Sequence, residues 1–380
     1  MENIYMDYGA TTPVRPEVTV AMQPYLTSCY GNPSAQYDLA VQAKNAVEQA
    51  RSVIAASLGV KPGEIYFTSG GTESDNWALK ASADRKPERG HIITSMVEHH
   101  AILRTCQYLE AKGCEVTYLP VNEEGCISVE QLEQAIQPNT ILISIMYANN
   151  EIGSIQPIRK IGEVARKHGI PFHTDAVQAY MHVPIRVQEE GITMLSASAH
   201  KFGGPKGTGF LYLSEKLPLG SLLQGGGQER GRRAGTENVA GIIGMGEAVR
   251  CADRELRQEQ ERLCRLRDQM IRTFLRDIPY VRLNGAARDR LPGNVNMSFQ
   301  FVEGPSLLVL LNEEGICASA GSACSSGDGT VSHVLQAIGL PEELSRAAIR
   351  FSFGKETTEE DIVKVVEVVK KNVQRLRNLR

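Results

Sequence analysis

Residues 171–213 read PFHTDAVQAYMHVPIRVQEEGITMLSASAHKFGGPKGTGFLYL, and three stretches within them read as strands: PFHTDA (171–176), TMLSASA (193–199) and FLYL (210–213). Each is short, rich in apolar residues and bounded by glycine, proline or polar turns. Upstream, EIYFTS (64–69), HIITS (91–95), EVTYLP (115–120) and ILISIMY (141–147) have the same character, and helical patterns over Trp77–Ala83, Ala101–Ala111 and Pro157–His168 lie between them. This alternation predicts an α/β fold with a mostly parallel sheet flanked by helices. Ligands of such sheets lie beyond the carboxyl ends of the strands.

Beyond residue 238 the pattern changes. A long charged helix, RCADRELRQEQERLCRLRDQMIRTFL (250–275), carries Leu256, Leu263, Leu266, Met270 and Phe274 at helical spacing. A strand near NVNMSF, a helix near PSLLVLLNEEG, the segment ASAGSACSSGDGT, the strand AIRFSFG and a final helix EEDIVKVVEVVKKNVQRL make up a smaller α+β domain. With 380 residues, the chain exceeds what one core usually fills. The expected division is a large domain of residues 16–254 and a small one of residues 1–15 and 255–380.

A formal net charge of -3 gives no global reason to bind nucleic acid or an anionic membrane, so small-molecule chemistry is the better expectation. The eight cysteines (29, 106, 114, 126, 251, 264, 317 and 324) include no C-x-x-C pair, which argues against a zinc knuckle or a disulfide framework and suits a reducing cytosol. The start, MENIYMDYGATTP, has no leader pattern and no apolar run spans a bilayer, so a cytoplasmic protein is expected.

Candidate chemistry centres on Lys201. It ends the strand segment Ser196–Lys201 and runs into glycines that let backbone approach a ligand, a placement suited to Schiff-base formation. The bland alternative is a solvated lysine. Asp175, 26 residues earlier at another strand end, can keep a ring nitrogen protonated and so make the ring an electron sink; Gln178 can bond a ring hydroxyl. Between EIYF and a helix, Thr68-Ser69-Gly70-Gly71-Thr72-Glu73 offers backbone N–H groups to a phosphate, or is simply a helix cap.

These three elements resemble the fold-type I pyridoxal-phosphate enzymes, and the motifs DYGATTP, GNPS, TSGGTESDN, VEHHA, ANNEIG, HTDAVQ, SASAHKFGGPKGTG, RRAGTEN, GSACSS and IRFSFG are similar to those of the cysteine desulfurases nearly end to end. The resemblance implies pyridoxal 5'-phosphate as cofactor, with Lys201 carrying it and Asp175 and Gln178 on its ring nitrogen and hydroxyl. It implies His99 stacked on the ring and relaying protons, and Asn150 at the ring hydroxyl or the substrate. Gly71, Thr72, Ser198 and His200 are implied at the phosphate, joined by Thr236 of a neighbouring subunit in a homodimer. Arg350 is implied to grip the L-cysteine carboxylate; its competing reading is a structural ion pair.

Cys324 separates the possible activities. The resemblance implies that it takes the sulfur of L-cysteine as a persulfide, releasing L-alanine, for a sulfur-acceptor protein in iron–sulfur cluster assembly or another thiolation pathway. A small buried cysteine is the bland reading, and is the one adopted for Cys106, Cys114, Cys251, Cys264 and Cys317. Another fold-type I enzyme, a selenocysteine lyase or an aminotransferase, is the alternative activity, and a non-catalytic sulfur-delivery scaffold the third. Ala35–Ala40 and Asp328–Val331 depart from the common family pattern, which leaves the acceptor open. The cations Lys364, Lys370, Lys371, Arg375, Arg377 and Arg380 make a basic end that either docks an acidic partner or is a solvated face.

Overall fold

The structure, a computed structural model, describes residues 3–86, 90–320 and 331–379. The chain begins with β1 (Ile4–Tyr5), α1 (Pro16–Thr27) and α2 (Asp38–Leu58). Alternation then follows: β2 (Ile65–Thr68), α3 (Gly71–Ala83), β3 (His91–Ser95), α4 (His100–Glu110), β4 (Glu115–Leu119), α5 (Val129–Gln134), β5 (Thr140–Ser144), α6 (Ile158–Lys167), β6 (Phe172–Asp175), β7 (Met194–Ser198) and β8 (Gly209–Leu213). A short turn, α7 (Gln228–Gly231), leads into α8 (Val239–Asp277). The remainder is β9 (Val281–Leu283), β10 (Asn294–Phe299), α9 (Gly304–Glu313), β11 (Ile316–Cys317), β12 (Ser319–Ala320), α10 (His333–Ala337), α11 (Glu342–Arg346), β13 (Ala348–Ser352) and α12 (Glu359–Asn378).

The larger sheet has the order β2-β8-β7-β6-β5-β3-β4. All its pairs are parallel except the two made by β8, which runs against both β2 and β7. The strands β3, β5, β6 and β7 are buried end to end, as strands covered on both faces must be. The helices α1 and α2, which no strand alternation announces, pack on α8. The second sheet, β12-β13-β10-β9, is antiparallel, and β1 pairs in parallel with β11 beside it.

The helix α8 belongs to two cores. Its Ile242, Met245, Ala248, Val249 and Ala252 are part of the cluster under the large sheet, whereas Leu263, Leu266, Met270, Ile271 and Phe274 pack with Met6, Val295, Phe351 and Val365. Its 39 residues give about 58 Å of length, enough to run from one core into the next. Leu256, one of the periodic apolar residues, falls between the two and is only half-buried. Glu255 beside it ties Arg15 (2.8 Å) and Lys355 (2.9 Å) across the junction.

The basic C-terminal helix spends several of its cations within the molecule. Arg377 donates to the carbonyls of Gln300, Pro279 and Tyr280, and Lys371 pairs with Glu314 at 2.9 Å. Among the described residues no helix is long and apolar enough to cross a membrane.

Candidate active site

The carboxyl ends of β2, β3, β5, β6 and β7 surround a cavity of about 590 Å³. At β2 the chain turns through Ser69 and Gly70 into α3. Gly70 has φ +152°, a conformation open to glycine, and a Cβ on Gly71 would lie 2.5 Å from Val177 Cγ2. No side chain caps α3, so its first-turn amides are left for an acceptor from outside the helix, and Gly71 and Thr72 line the cavity.

Lys201 follows β7 on a single 3-10 turn and lines the cavity. Its Nζ donates to Gly9 O (2.7 Å) and Ala10 O (2.9 Å). Gln178 Nε2 donates to the same Gly9 carbonyl at 2.9 Å. Residues 7–12 therefore form one wall of the site. Thr12 accepts the Gly203 amide and donates to His200 O, and Thr11 Oγ1 meets His200 Nδ1 at 3.1 Å. The motif DYGATTP carried this wall, but nothing local to it announces contacts with residues some 190 positions away.

Asp175 sits on the cavity floor at the end of β6, accepting the Val177 amide at 2.9 Å. On the same face of β6, two residues earlier, His173 bridges Ser144 of β5 (2.9 Å) and Ser196 of β7 (3.0 Å). Burial pushes its imidazole down to about 3, so it is neutral. From α3, Asp75 reaches this layer: one oxygen each of Asp75 and Asp175 and a ring nitrogen of His99 lie within 4.8 Å of one another. Burial first, and then Asp175, raises the Asp75 carboxyl well above the carboxylate range. Burial raises Asp175 too, but His99 and Lys201 oppose it, so of this pair Asp75 keeps the proton and Asp175 the charge. Sequence reasoning found Asp175 and passed over Asp75, which stands in the motif TESDN.

A third buried carboxyl, Glu98, accepts Ser95 Oγ at 2.6 Å and the Met146 amide at 3.0 and 3.1 Å. Burial, seconded by Asp175, pushes it up to about 8. Its folded pKa lies above its unfolded one, so its contribution favours the fold at low pH and is lost as pH rises from the ordinary carboxylate range through about 8. Glu98→Gln keeps an acceptor for Met146 and removes the penalty. We expect it to raise unfolding free energy near pH 8, by at most roughly 5 kcal/mol, and to change little near pH 4. Urea unfolding at the two pH values measures the difference.

His99 caps α4, its Nδ1 accepting the Ala101 amide at 3.1 Å, so a neutral ring carries its proton on Nε2. Asn150, Ser198 and His200 also line the cavity; burial, with Lys201 and Lys206 adding to it, pushes the His200 imidazole down to about 4. Arg350 comes from β13 of the second sheet, only 1% exposed, and closes another side of the cavity. Both readings of it meet here: it pairs with Asp7 at 2.8 Å and donates to Asn150 O, while its buried Nε has no partner among the described residues. Thr236 stands apart, in a neighbouring cavity of about 160 Å³ that shares Ser69 and Gly207 with the main one. Cys324 lies outside the described residues.

The donor set fits pyridoxal 5'-phosphate. A primary amine for a carbonyl carbon, a buried carboxylate for a ring N–H, an uncapped helix start for a phosphate and a guanidinium for a carboxylate line one space. These groups define an α/β enzyme site with room and donors for a phosphorylated aldehyde cofactor. Comparison with known proteins agrees. The family described as aminotransferase class-V matches residues 4–365. The chain is 53% identical over 377 residues to "Cysteine desulfurase IscS" of Methanosarcina thermophila, covering 99% of this chain and 93% of that one. To the protein of the same name in Dictyoglomus turgidum it is 50% identical, covering 99% and 96%. A solved "NifS-like protein" superposes with a TM-score of 0.92 at 35% identity over 98% of this chain and 99% of that one. "SspA in complex with cysteine" superposes at 0.83 with 40% identity over 92% and 98%. The chain belongs to the class-V aminotransferase family, on its cysteine desulfurase branch.

Proposed function

We propose that this protein is a pyridoxal 5'-phosphate-dependent cysteine desulfurase, which takes the sulfur of L-cysteine onto Cys324 and releases L-alanine. The observation that carries this is the convergence of Lys201, Asp175, His99 and Arg350 on one cavity, in a chain whose relatives carry that name. Bound there, the cofactor supplies a sink for the electron pair left when the substrate Cα loses its proton. Asp175 holds the positive charge of the ring nitrogen, and Asn150 and Gln178 flank the ring hydroxyl. The first turn of α3, Ser198 and His200 hold the phosphate, with Thr236 of a second subunit completing that site in a homodimer.

Arg350 holds the substrate carboxylate through a two-pronged pair, and Lys201 Nζ takes the Cα proton. His99 moves protons through Nε2. The Cys324 thiolate then attacks the substrate sulfur: an S–S bond forms, the Cβ–S bond breaks, and its electron pair stays with the carbon fragment that leaves as alanine. The persulfide passes to an acceptor protein. The two cores joined by α8 support a division into residues 16–254 and residues 1–15 with 255–380, and the composition suits a cytoplasmic enzyme.

Incubation of the protein with L-cysteine and a thiol reductant tests the activity. Equimolar alanine and sulfide are expected; formation of a keto acid in place of alanine would make it a transaminase instead. Arg350→Lys keeps the charge but loses the fork, and is expected to raise KM for L-cysteine about 10- to 100-fold, with a smaller change in kcat. An unchanged KM would leave Arg350 as the partner of Asp7 alone.

A further inference from the structure

Two ion pairs hold α7 and the segment after it, the first to α2 and β2 and the second to the start of α3. The first is buried. Arg51 of α2 takes Glu229 in a fork, with distances of 2.7 and 2.8 Å, and lies over the Phe67 ring at 4.4 Å. Glu229 also accepts the Phe67 amide at 3.0 Å. To meet these partners Glu229 and Arg230 adopt φ of +47° and +59°, the left-handed region that residues with a Cβ avoid. The second pair is four residues further on. Arg233 takes Glu73 in a fork, with Nε to Oε1 at 2.8 Å and Nη2 to Oε2 at 3.1 Å. The carboxylate of Glu73 also accepts the Ser69 amide at 2.8 Å.

Glu73 is the third residue of α3 and follows Thr72 directly; both line the main cavity. A carboxylate there improves the helix itself, because it faces the positive end of the dipole. For a phosphate arriving at the same turn it is a like charge within a few ångströms. Burial pushes the Glu73 carboxyl up, but its bonds to Arg233 and Ser69 outweigh that and hold it below the usual range, so protonation does not remove the conflict. The Arg233 guanidinium does, since it faces Glu73 from the other side and lines the small cavity that adjoins the same turn.

We propose that Arg233 is a positioning residue for the cofactor phosphate: by cancelling the charge of Glu73 it leaves the first turn of α3 attractive to a dianion, and the Arg51–Glu229 pair fixes the segment that delivers it. This rests on the reading of the α3 start as the phosphate site. Glu73 can then serve as the cap of the Ser69–Gly70 turn without repelling the ligand, and the left-handed residues are the backbone cost of bringing Arg233 to it.

The test is titration of the full-length apoprotein with pyridoxal 5'-phosphate and, in parallel, with pyridoxal, which has the ring and aldehyde but no phosphate, followed by absorbance. For the wild type, pyridoxal 5'-phosphate should bind more tightly than pyridoxal. Arg233→Ala should weaken the phosphorylated ligand at least about tenfold and move pyridoxal less than about twofold. Adding Glu73→Gln to Arg233→Ala should restore affinity to within about threefold of wild type, and Arg233→Lys should stay within the same range. Equal weakening of both ligands, no weakening of either, or no recovery in the double variant overturns the role of Arg233 while the phosphate reading stands. A wild type that does not distinguish the two ligands overturns the phosphate reading beneath it.

Discussion

Lys201→Ala is expected to lower alanine formation from L-cysteine by about four orders of magnitude or more, through loss of both the covalent tether and the amine that takes the Cα proton. Lys201 Nζ is held by the carbonyls of Gly9 and Ala10 at the end of β7, so its amine has a fixed position among Asp175, His99 and Arg350. Lys206 also lines the cavity, but from an exposed turn. The loss in Lys201→Ala should therefore exceed that in Lys206→Ala by at least about a hundredfold. The fold should survive, since two hydrogen bonds at the cavity wall are a small part of what holds residues 7–12; the bonds of Thr11, Thr12 and Gly9 to His200, Gly203 and Ser352 remain. Steady-state rates, with far-ultraviolet circular dichroism as the check on folding, decide it. Retention of a tenth of the activity would remove Lys201 from the chemistry.

Such placement is only partly legible in sequence. The strands of the large sheet announce themselves because they are short, β-rich stretches closed by turn residues, and Lys201 and Asp175 announce themselves because they stand at two such closures. Periodicity is local, however, and the parts that finish the site are not. Arg350 meets Asp7 across 343 positions, and Glu73 meets Arg233 across 160. No window on the chain holds both members of either pair. The antiparallel direction of β8 is equally invisible, since FLYL reads the same in either sense; the direction follows from the tight return after Lys201. Asp75 is hidden for a different reason. In a helical pattern an aspartate among Ser74, Asn76 and Trp77 reads as solvated, and only the register of His173, Asp175 and Ser196 on adjacent strands puts a buried polar layer beneath it.

That layer also explains why one face of the sheet can carry three buried carboxyls. Charge on Asp75, Glu98 and Asp175 together would not be tolerated at such separations. With protons on Asp75 and Glu98 and a neutral His173 between hydroxyls, the single charge rests on Asp175, nearest the cations of the cavity. A ring nitrogen held there would meet the carboxylate of Asp175 in a poorly solvated site, which favours its proton.

Cys324→Ala is expected to abolish persulfide formation and to lower alanine release from L-cysteine at least about a hundredfold, while cofactor binding stays at the wild-type level. The described cysteines support this by what they lack. None of Cys29, Cys106, Cys114, Cys126, Cys251, Cys264 and Cys317 lines the main cavity. Burial pushes the thiols of Cys106, Cys114, Cys251 and Cys264 up, and that of Cys126 up to about 11, so these are poor sources of thiolate at neutral pH. The residues on either side of the segment that carries Cys324 are fixed beside the site. Ser319 pairs with Arg350 in the β12–β13 ladder, and Ser332, which caps α10, bonds the carboxyl of Glu151, next to Asn150. The described residues that flank this segment therefore adjoin Arg350 and Asn150. Mass analysis of the protein after exposure to L-cysteine should show one added sulfur in the wild type and none in the variant. Sulfide release that is unchanged in Cys324→Ala would transfer the role to another thiol, and would leave Lys201 and Asp175 as the machinery of a different amino-acid reaction.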